Sequence, residues 1–236
     1  MGIESTETRM FLQLDAEKQQ RVLEAAIDEF SDRGYEKASM NVLVQKAGIS
    51  KGALFKYFGS KGGLFAFVYR IALNHVKDYL RTVRDKSQDE NFFRRLEKIM
   101  AAGVDFVHHY PGPARIYYHI IFTGDSPYKD EILKELHRES LKFIESLIED
   151  GIRRGDIRPN LDPKTTAFVL ECVLDRFLQA HHLQFLDHSL RLHGASAEES
   201  NKWIQKIVEL FKRGLENDSH CCKIDRSRKV FQKSRR

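Results

Sequence analysis

Between Ser39 and Ser60 the chain reads SMNVLVQKAGISKGALFKYFGS, and this stretch restricts the fold more than any other. Ser39 is placed to cap a helix over Met40–Ala47, which Gly48 ends in the left-handed conformation that glycine favours. Ser50 caps a second short helix over Lys51–Phe58, and Gly59-Ser60 breaks the chain again. Leu43 and Ala47 pack inward from the first helix, Ile49 plugs the gap, and Leu54 and Phe58, four apart, anchor the second. Two helices joined by a tight glycine-containing turn make a helix-turn-helix.

Helical periodicity dominates elsewhere. Asp15 is placed to cap a helix whose apolar positions Val22, Leu23, Ala26, Ile27 and Phe30 recur at helical spacing until Gly34 closes it. Ser60 opens a longer helix through Leu64, Phe67, Val68, Ile71 and Val76. After the polar stretch RDKSQDEN (84–91), helices are expected near 92–110, 113–123, 128–154, 163–186 and 197–216. Their punctuation is YPGP, TGDSP, GDIRPNLDP and HGAS. No segment alternates as a strand does, and no internal repeat is present.

The expected fold is therefore all-α. An N-terminal three-helix unit is expected over 16–76, with the helix-turn-helix motif itself at 39–58. A fourth helix is expected to join it to a second helical domain over 77–216, and the basic, polar residues 217–236 are expected to be a disordered tail.

Charge narrows the function. The 236 residues are 42% hydrophobic and 31% charged, as in a soluble globular protein, and no apolar run is long enough to span a bilayer. From Lys37 to Lys77 there are seven basic residues and no acid; from Ser219 onward the net charge is +6. Setting both aside from the chain's total of +5 leaves −8 for the remainder. An acidic body carrying one compact basic segment points to a polyanion contact at that segment. The N-terminal MGIESTETRMFLQLDAEKQQ has no basic start followed by an apolar block, so no secretory signal is expected. Three cysteines, two of them adjacent at Cys221 and Cys222, make no disulfide framework, and the expected location is the cytoplasm.

Opposite Leu54 and Phe58, the second short helix carries Gly52, Ala53 and Lys56, with Lys51 at its N-terminal tip. The small residues let a helix backbone approach DNA closely, and the N-terminal amides with Lys51 suit phosphates and base edges. The stretch RVLEAAIDEFSDRGYEKASMNVLVQKAGISKGALFKYFGSKGGLF resembles the DNA-binding domain of the TetR (tetracycline-repressor) family of transcriptional regulators. The likeness runs from Arg21 to Tyr69 and rests on AA…F…GY and AGISKG…L…YF.SK..L; later residues match loosely, mainly at GIRRGDIRPNLDP. The resemblance implies a homodimer, an N-terminal DNA-binding domain and a C-terminal domain that senses a small molecule. It carries Ser39, Asn41, Ser50, Lys51, Gly52, Ala53, Phe55, Tyr57 and Lys61 onto the DNA side. Val44 stands where alanine is usual, Ala53 where threonine is frequent and Phe55 where tyrosine is usual, which removes two hydroxyls suited to phosphate. Within this set Lys51 is the candidate for a guanine edge, Asn41 for an edge or a phosphate, and Phe55 for a thymine methyl. Ser39, Tyr57 and Lys61 are read as phosphate clamps.

In the C-terminal half, HHYPGPARIYYHIIF (108–122) groups aromatic and polar side chains at a turn. The candidate ligand set is Phe106, His109, Tyr110, Arg115, Tyr118, His119 and Phe122, joined by Phe168 and Cys172, and its aromatic walls favour a flat or long apolar effector. Apolar rows on 163–186 (Ala167, Leu170, Leu174, Phe177, Leu178) and on 197–216 (Ile204, Ile207, Val208, Phe211) are expected to pair across a two-fold axis. The resulting reading is a dimeric, ligand-responsive repressor on a palindromic operator, with no cofactor, no metal, no membrane partner and no catalytic residue. Two alternatives stay open. One is a constitutive or partner-controlled DNA-binding regulator without a pocket. The other is a metal-binding protein or enzyme using the histidines of 181–193, although no CxxC, HExxH, GxSxG or phosphate-binding glycine loop is present.

Overall fold

The structure is a computed structural model that describes residues 6–123, 126–187 and 189–216. The tail expected over 217–236 lies outside the described residues. Among the described residues there are ten α-helices and no strand: α1 (Thr6–Leu12), α2 (Ala16–Lys37), α3 (Met40–Ala47), α4 (Lys51–Phe58), α5 (Lys61–Lys86), α6 (Phe92–His109), α7 (Pro111–Thr123), α8 (Lys129–Arg154), α9 (Pro163–His182) and α10 (Ala197–Leu215). The expected elements are all present. α1 is additional, and α5 runs well past Val76. α9 stops at His182, where Leu183 turns extended, and a single 3-10 turn, Gln184–Leu186, follows.

Local chemistry sets the helix ends. Asp15 accepts the Lys18 amide at 2.8 Å, Ser60 the Gly63 amide at 3.0 Å, and Asp162 the Thr165 amide at 2.7 Å ahead of Pro163. Ser196 and Glu199 form a reciprocal capping box on α10. α2 is not uniform: Gly34 breaks it with φ 67° and ψ 178°, and a last half-turn carries the chain to Ala38.

The chain packs as two compact units. The first draws on Met1–Leu80 and Asp105–His137, the second on Arg81–Val104 and Arg138–Arg236, as far as these are described. The core of the first unit is aromatic, with Phe11, Phe30, Phe58, Phe65 and Phe67 buried beside Leu43, Leu54, Leu64, Ile116 and Ile120. α7 lies on α2 in this unit. Arg115 pairs with Asp32 at 2.9 Å, and His119 Nε2 meets the Ser31 carbonyl at 3.1 Å.

In the second unit Leu96, Met100, Ile148, Ile157, Leu170, Phe177, Ile204 and Val208 are buried. His181 crosses from α9 to α10, with Nδ1 on the Phe177 carbonyl at 2.9 Å and Nε2 on Ser200 Oγ at 3.0 Å. α6 and α8 are joined by charge. Asp150 takes hydrogen bonds from Arg95 at 2.5 Å, Arg153 at 2.6 Å and Arg154 at 2.9 Å, and Arg95 is almost wholly buried. Burial on its own pushes the Asp150 carboxyl up, but the hydrogen bonds from Arg153, Arg95 and Arg154, with the charge of Arg154, outweigh it and hold the pKa at about 2.

A carboxyl held below its unfolded value contributes stability above that value and loses it as pH falls through the folded one. Stability from Asp150 should therefore be complete above about pH 4 and fade towards pH 2. Asp150→Asn should cost roughly 2–3 kcal/mol at neutral pH, because Arg95 loses its buried partner, and should flatten the acid limb of the stability profile measured by urea unfolding.

Candidate nucleic-acid interface

α3 and α4 are each eight residues long, too short to persist without packing. Leu43 and Ala47 of α3 and Leu54 of α4 are buried to within 1% of full, and Phe58 to 6%. The turn between them is built as the sequence prescribes. Gly48 sits at φ 65° and ψ 36°, its amide reaching back to Gln45, while the Ile49 amide closes on the Val44 carbonyl at 3.1 Å. Ser39 Oγ accepts the Val42 amide at 3.4 Å and Ser50 Oγ the Ala53 amide at 3.1 Å. α5 then approaches α4 so closely that a Cβ at Gly63 would run into the Phe58 carbonyl.

One supporting residue lies far from the motif in sequence. Glu29 of α2 is buried, and its Oε1 accepts the Ser39 amide at 2.7 Å, fixing the point where α3 begins. Nothing local marks Glu29 for this role, since it sits among apolar α2 positions and its partner is ten residues away.

Several of the candidate DNA residues lie on the solvent side of α3 and α4, while Phe55 and Tyr57 are packed against this core. Asn41, Ser50, Lys51, Gly52 and Lys56 are exposed; Ser39, Ala53, Phe55, Tyr57 and Lys61 are half-buried. Val42 is also exposed on this side. The lysines divide into two kinds. Lys46 reaches Asp28 at 3.8 Å, an acid from outside the acid-free window, and Lys61 donates to the Glu36 carbonyl at 3.0 Å while lying 4.9 Å over the Tyr35 ring. Among the described residues Lys51 and Lys56 make no hydrogen bond or ion pair. Gly52 has open space where a side chain would stand, so packing within the chain does not require a glycine there. The first amides of α4, which no intrahelical bond can satisfy, open on the same side. Two uncompensated cations, a bare backbone and a helix N-terminus together form a surface shaped for an anion-bearing partner at close range.

The candidate ligand residues are more scattered. The Phe106 and Tyr110 rings meet at 5.0 Å, tilted by 31°, and His109 Nδ1 is 2.7 Å from the Asp105 carbonyl. Arg115 and His119 are engaged by α2, Tyr118 is buried, and Phe122 is half exposed. Phe168 and Cys172 belong to the second unit and are exposed on α9. Among the described residues, which exclude His188, no three metal-ligating side chains converge, and none of the described helices is long and apolar enough to cross a membrane.

A capped, glycine-turned helix pair with a cationic outer face is the reading head of a helix-turn-helix DNA-binding protein. Comparison with known proteins agrees. The family profile described as bacterial regulatory proteins, tetR family, matches residues 22–68, and that described as tetracyclin repressor-like, C-terminal domain, matches residues 90–216. The HTH-type transcriptional regulator YhgD of Bacillus subtilis is 27% identical over 157 residues, 66% of this chain and 80% of YhgD. A TetR family regulator of Chloroflexus aurantiacus shares the fold with a TM-score of 0.64 at 24% identity, over 89% of this chain and 98% of that one. FadR of Bacillus subtilis, solved in complex with stearoyl-CoA, shares it with a TM-score of 0.65 at 14% identity, over 80% of this chain and 97% of its own. The chain belongs to the TetR family of transcriptional regulators.

Gly52→Ala separates the two demands on α4. It should stabilise the fold by about 0.5–1 kcal/mol, since alanine is the better helix former and meets no neighbour, yet weaken DNA binding by intruding on the partner. Thermal unfolding and duplex binding on the same preparation check both signs.

Proposed function

We propose that the chain is a homodimeric repressor that reads a palindromic operator and releases it on binding a small apolar or aromatic effector. The observation that carries the DNA half of this reading is the pair Lys51 and Lys56, without partners among the described residues, on the same capped helix as the open Gly52. In this reading residues 16–76 form the reading head around the 39–58 motif, and residues 77–216 sense and dimerise. Lys51 meets a base edge, with Asn41, Ser39, Ser50, Tyr57 and Lys61 on or near the phosphates and Ala53, Phe55 and Lys56 along the groove.

A single eight-residue helix reads too few bases, and two set about 34–36 Å apart read successive major grooves. Of the apolar rows named from periodicity, Ala167, Leu170, Phe177, Ile204 and Val208 are buried inside the chain, while Leu174, Leu178, Ile207 and Phe211 are half-buried. What the second unit leaves outside is a different row. Phe168 is 58% exposed and Val169 46% on α9, beside Cys172, and Leu210 is 72% exposed on α10. This outer face supports the two-fold contact.

A recess of about 250 Å³ opens in the first unit among Phe65, Ile120, His119 and the Gly34–Lys37 end of α2. Most of its lining, Arg33 to Lys37 and Phe65, belongs to the reading head, and His119 is the member of the candidate ligand set that reaches it. Its walls include the α2 segment that holds Lys61, so an occupant there would bear on the reading head. A coupling of only about 1–3 kcal/mol changes operator affinity five- to 150-fold.

Selection from random duplexes at near-physiological salt should recover a palindrome with half-sites one helical turn apart, and Lys51→Ala should lose or relax it; sequence-blind binding that the variant leaves unchanged would refute the reading. Leu210→Glu should convert the dimer to a folded monomer in light scattering and abolish palindrome binding, because a charge cannot be buried unpaired in an apolar contact.

A further inference from the structure

α1 precedes both matched family segments, the first of which begins at residue 22, yet it packs on α4. Its anchor is Phe11, fully buried. The Phe11 ring lies 4.9 Å from Phe58, 5.5 Å from Phe67 and 6.0 Å from Tyr57, centroid to centroid. The turn behind it is tied down from α2, where Gln19 Nε2 donates to the Leu14 carbonyl at 2.7 Å and the Leu12 carbonyl at 3.2 Å. The Leu14 amide closes on Phe11 itself at 3.1 Å. A helix of seven residues has no stability of its own, so α1 depends on tertiary contacts, the burial of this ring and the Gln19 hydrogen bonds among them.

Burial of Phe11 has a consequence on the outer side of α4. Tyr57 is half-buried, with its ring against Phe11 and edge-on to Phe58 at 6.3 Å and 84°. Among the described residues its hydroxyl has no hydrogen-bond partner. The phenol is therefore oriented by packing rather than by a hydrogen bond, and Phe11 supplies a ring contact to it from outside α4. Without the Phe11 ring, Tyr57 gains rotamer freedom that has to be surrendered when its hydroxyl meets a fixed acceptor, a cost paid in binding rather than in folding.

We propose that Phe11 is a positioning residue for DNA recognition, holding the Tyr57 ring so that its hydroxyl is presented to an operator phosphate. The inference rests on the DNA reading of α4 given above. It differs from a purely structural role in one respect: the contribution of Phe11 to affinity runs through the Tyr57 hydroxyl and vanishes when that hydroxyl is absent.

A double-mutant cycle on the full chain tests this, using the duplex recovered by selection, fixed salt, and a temperature at which circular dichroism shows every variant folded. Phe11→Leu retains an apolar side chain and removes the ring; Tyr57→Phe removes only the hydroxyl. Each should weaken binding about tenfold, and the double variant should bind within about twofold of Tyr57→Phe alone. Leu12→Ala, on the exposed side of the same helix, should bind as the wild type does. Penalties that simply multiply in the double variant would overturn the proposal, as would a Phe11→Leu protein with a lower melting temperature and undiminished affinity. A wild-type protein that selects no duplex at all would remove the DNA reading and this inference with it, an outcome visible before any variant is made.

Discussion

Everything α4 presents outward depends on the aromatic burial beneath it. Eight residues do not sustain a helix in water, so the reading head exists only while Leu54 and Phe58 are seated in the core. Phe58 lies between Phe11 of α1 at 4.9 Å and Phe67 of α5 at 5.2 Å, two contacts that each add about 0.5–1.5 kcal/mol beyond area burial. With the helix secured from below, its outer face is released from any duty to stability. That release is what permits a glycine at position 52 and lysines at 51 and 56 that hold nothing among the described residues.

The charges follow the same division of labour. Lys46 and Lys61 belong to the acid-free stretch by sequence, but each is drawn back to α2, one by the Asp28 carboxylate and the other by the Glu36 carbonyl and the Tyr35 ring. An exposed pair such as Lys46–Asp28 adds little stability, about 0–1 kcal/mol, yet it lowers the field available to a polyanion. The charge left without a carboxylate on α4 sits on Lys51 at its N-terminal tip, where the helix dipole has the same sign, and on Lys56 in its last turn. A surface of that kind is costly to leave empty at low salt and is compensated by phosphate.

Legibility tracked the range of the interactions. Ser39, Ser50, Asp15 and Gly48 could be read because each acts on a backbone group within four residues, and the apolar spacing of Leu43, Ala47, Leu54 and Phe58 was unambiguous on helices with a single apolar side. On α9 periodicity failed to choose. Both the Ala167–Leu170–Phe177 row and the Phe168–Val169–Cys172 row are apolar, and only packing reveals that the first faces the core. The ligand residues suffered likewise. Arg115 and His119 look available beside the aromatics of 108–122, but their partners are 83 and 88 residues upstream on α2.

The order of helices, their caps, the turn at Gly48 and the basic character of one short helix follow from the sequence by itself, because each arises from contacts within a few residues or from charge that no local acid cancels. Tertiary structure alone decided which lysines remain free, that the buried Glu29 carboxylate fixes the start of α3, that α1 props α4 through Phe11, and which side of α9 stays outside. These outcomes turn on side chains meeting across long separations in the chain, where a pattern of hydrophobic and polar residues states that burial occurs but not against what.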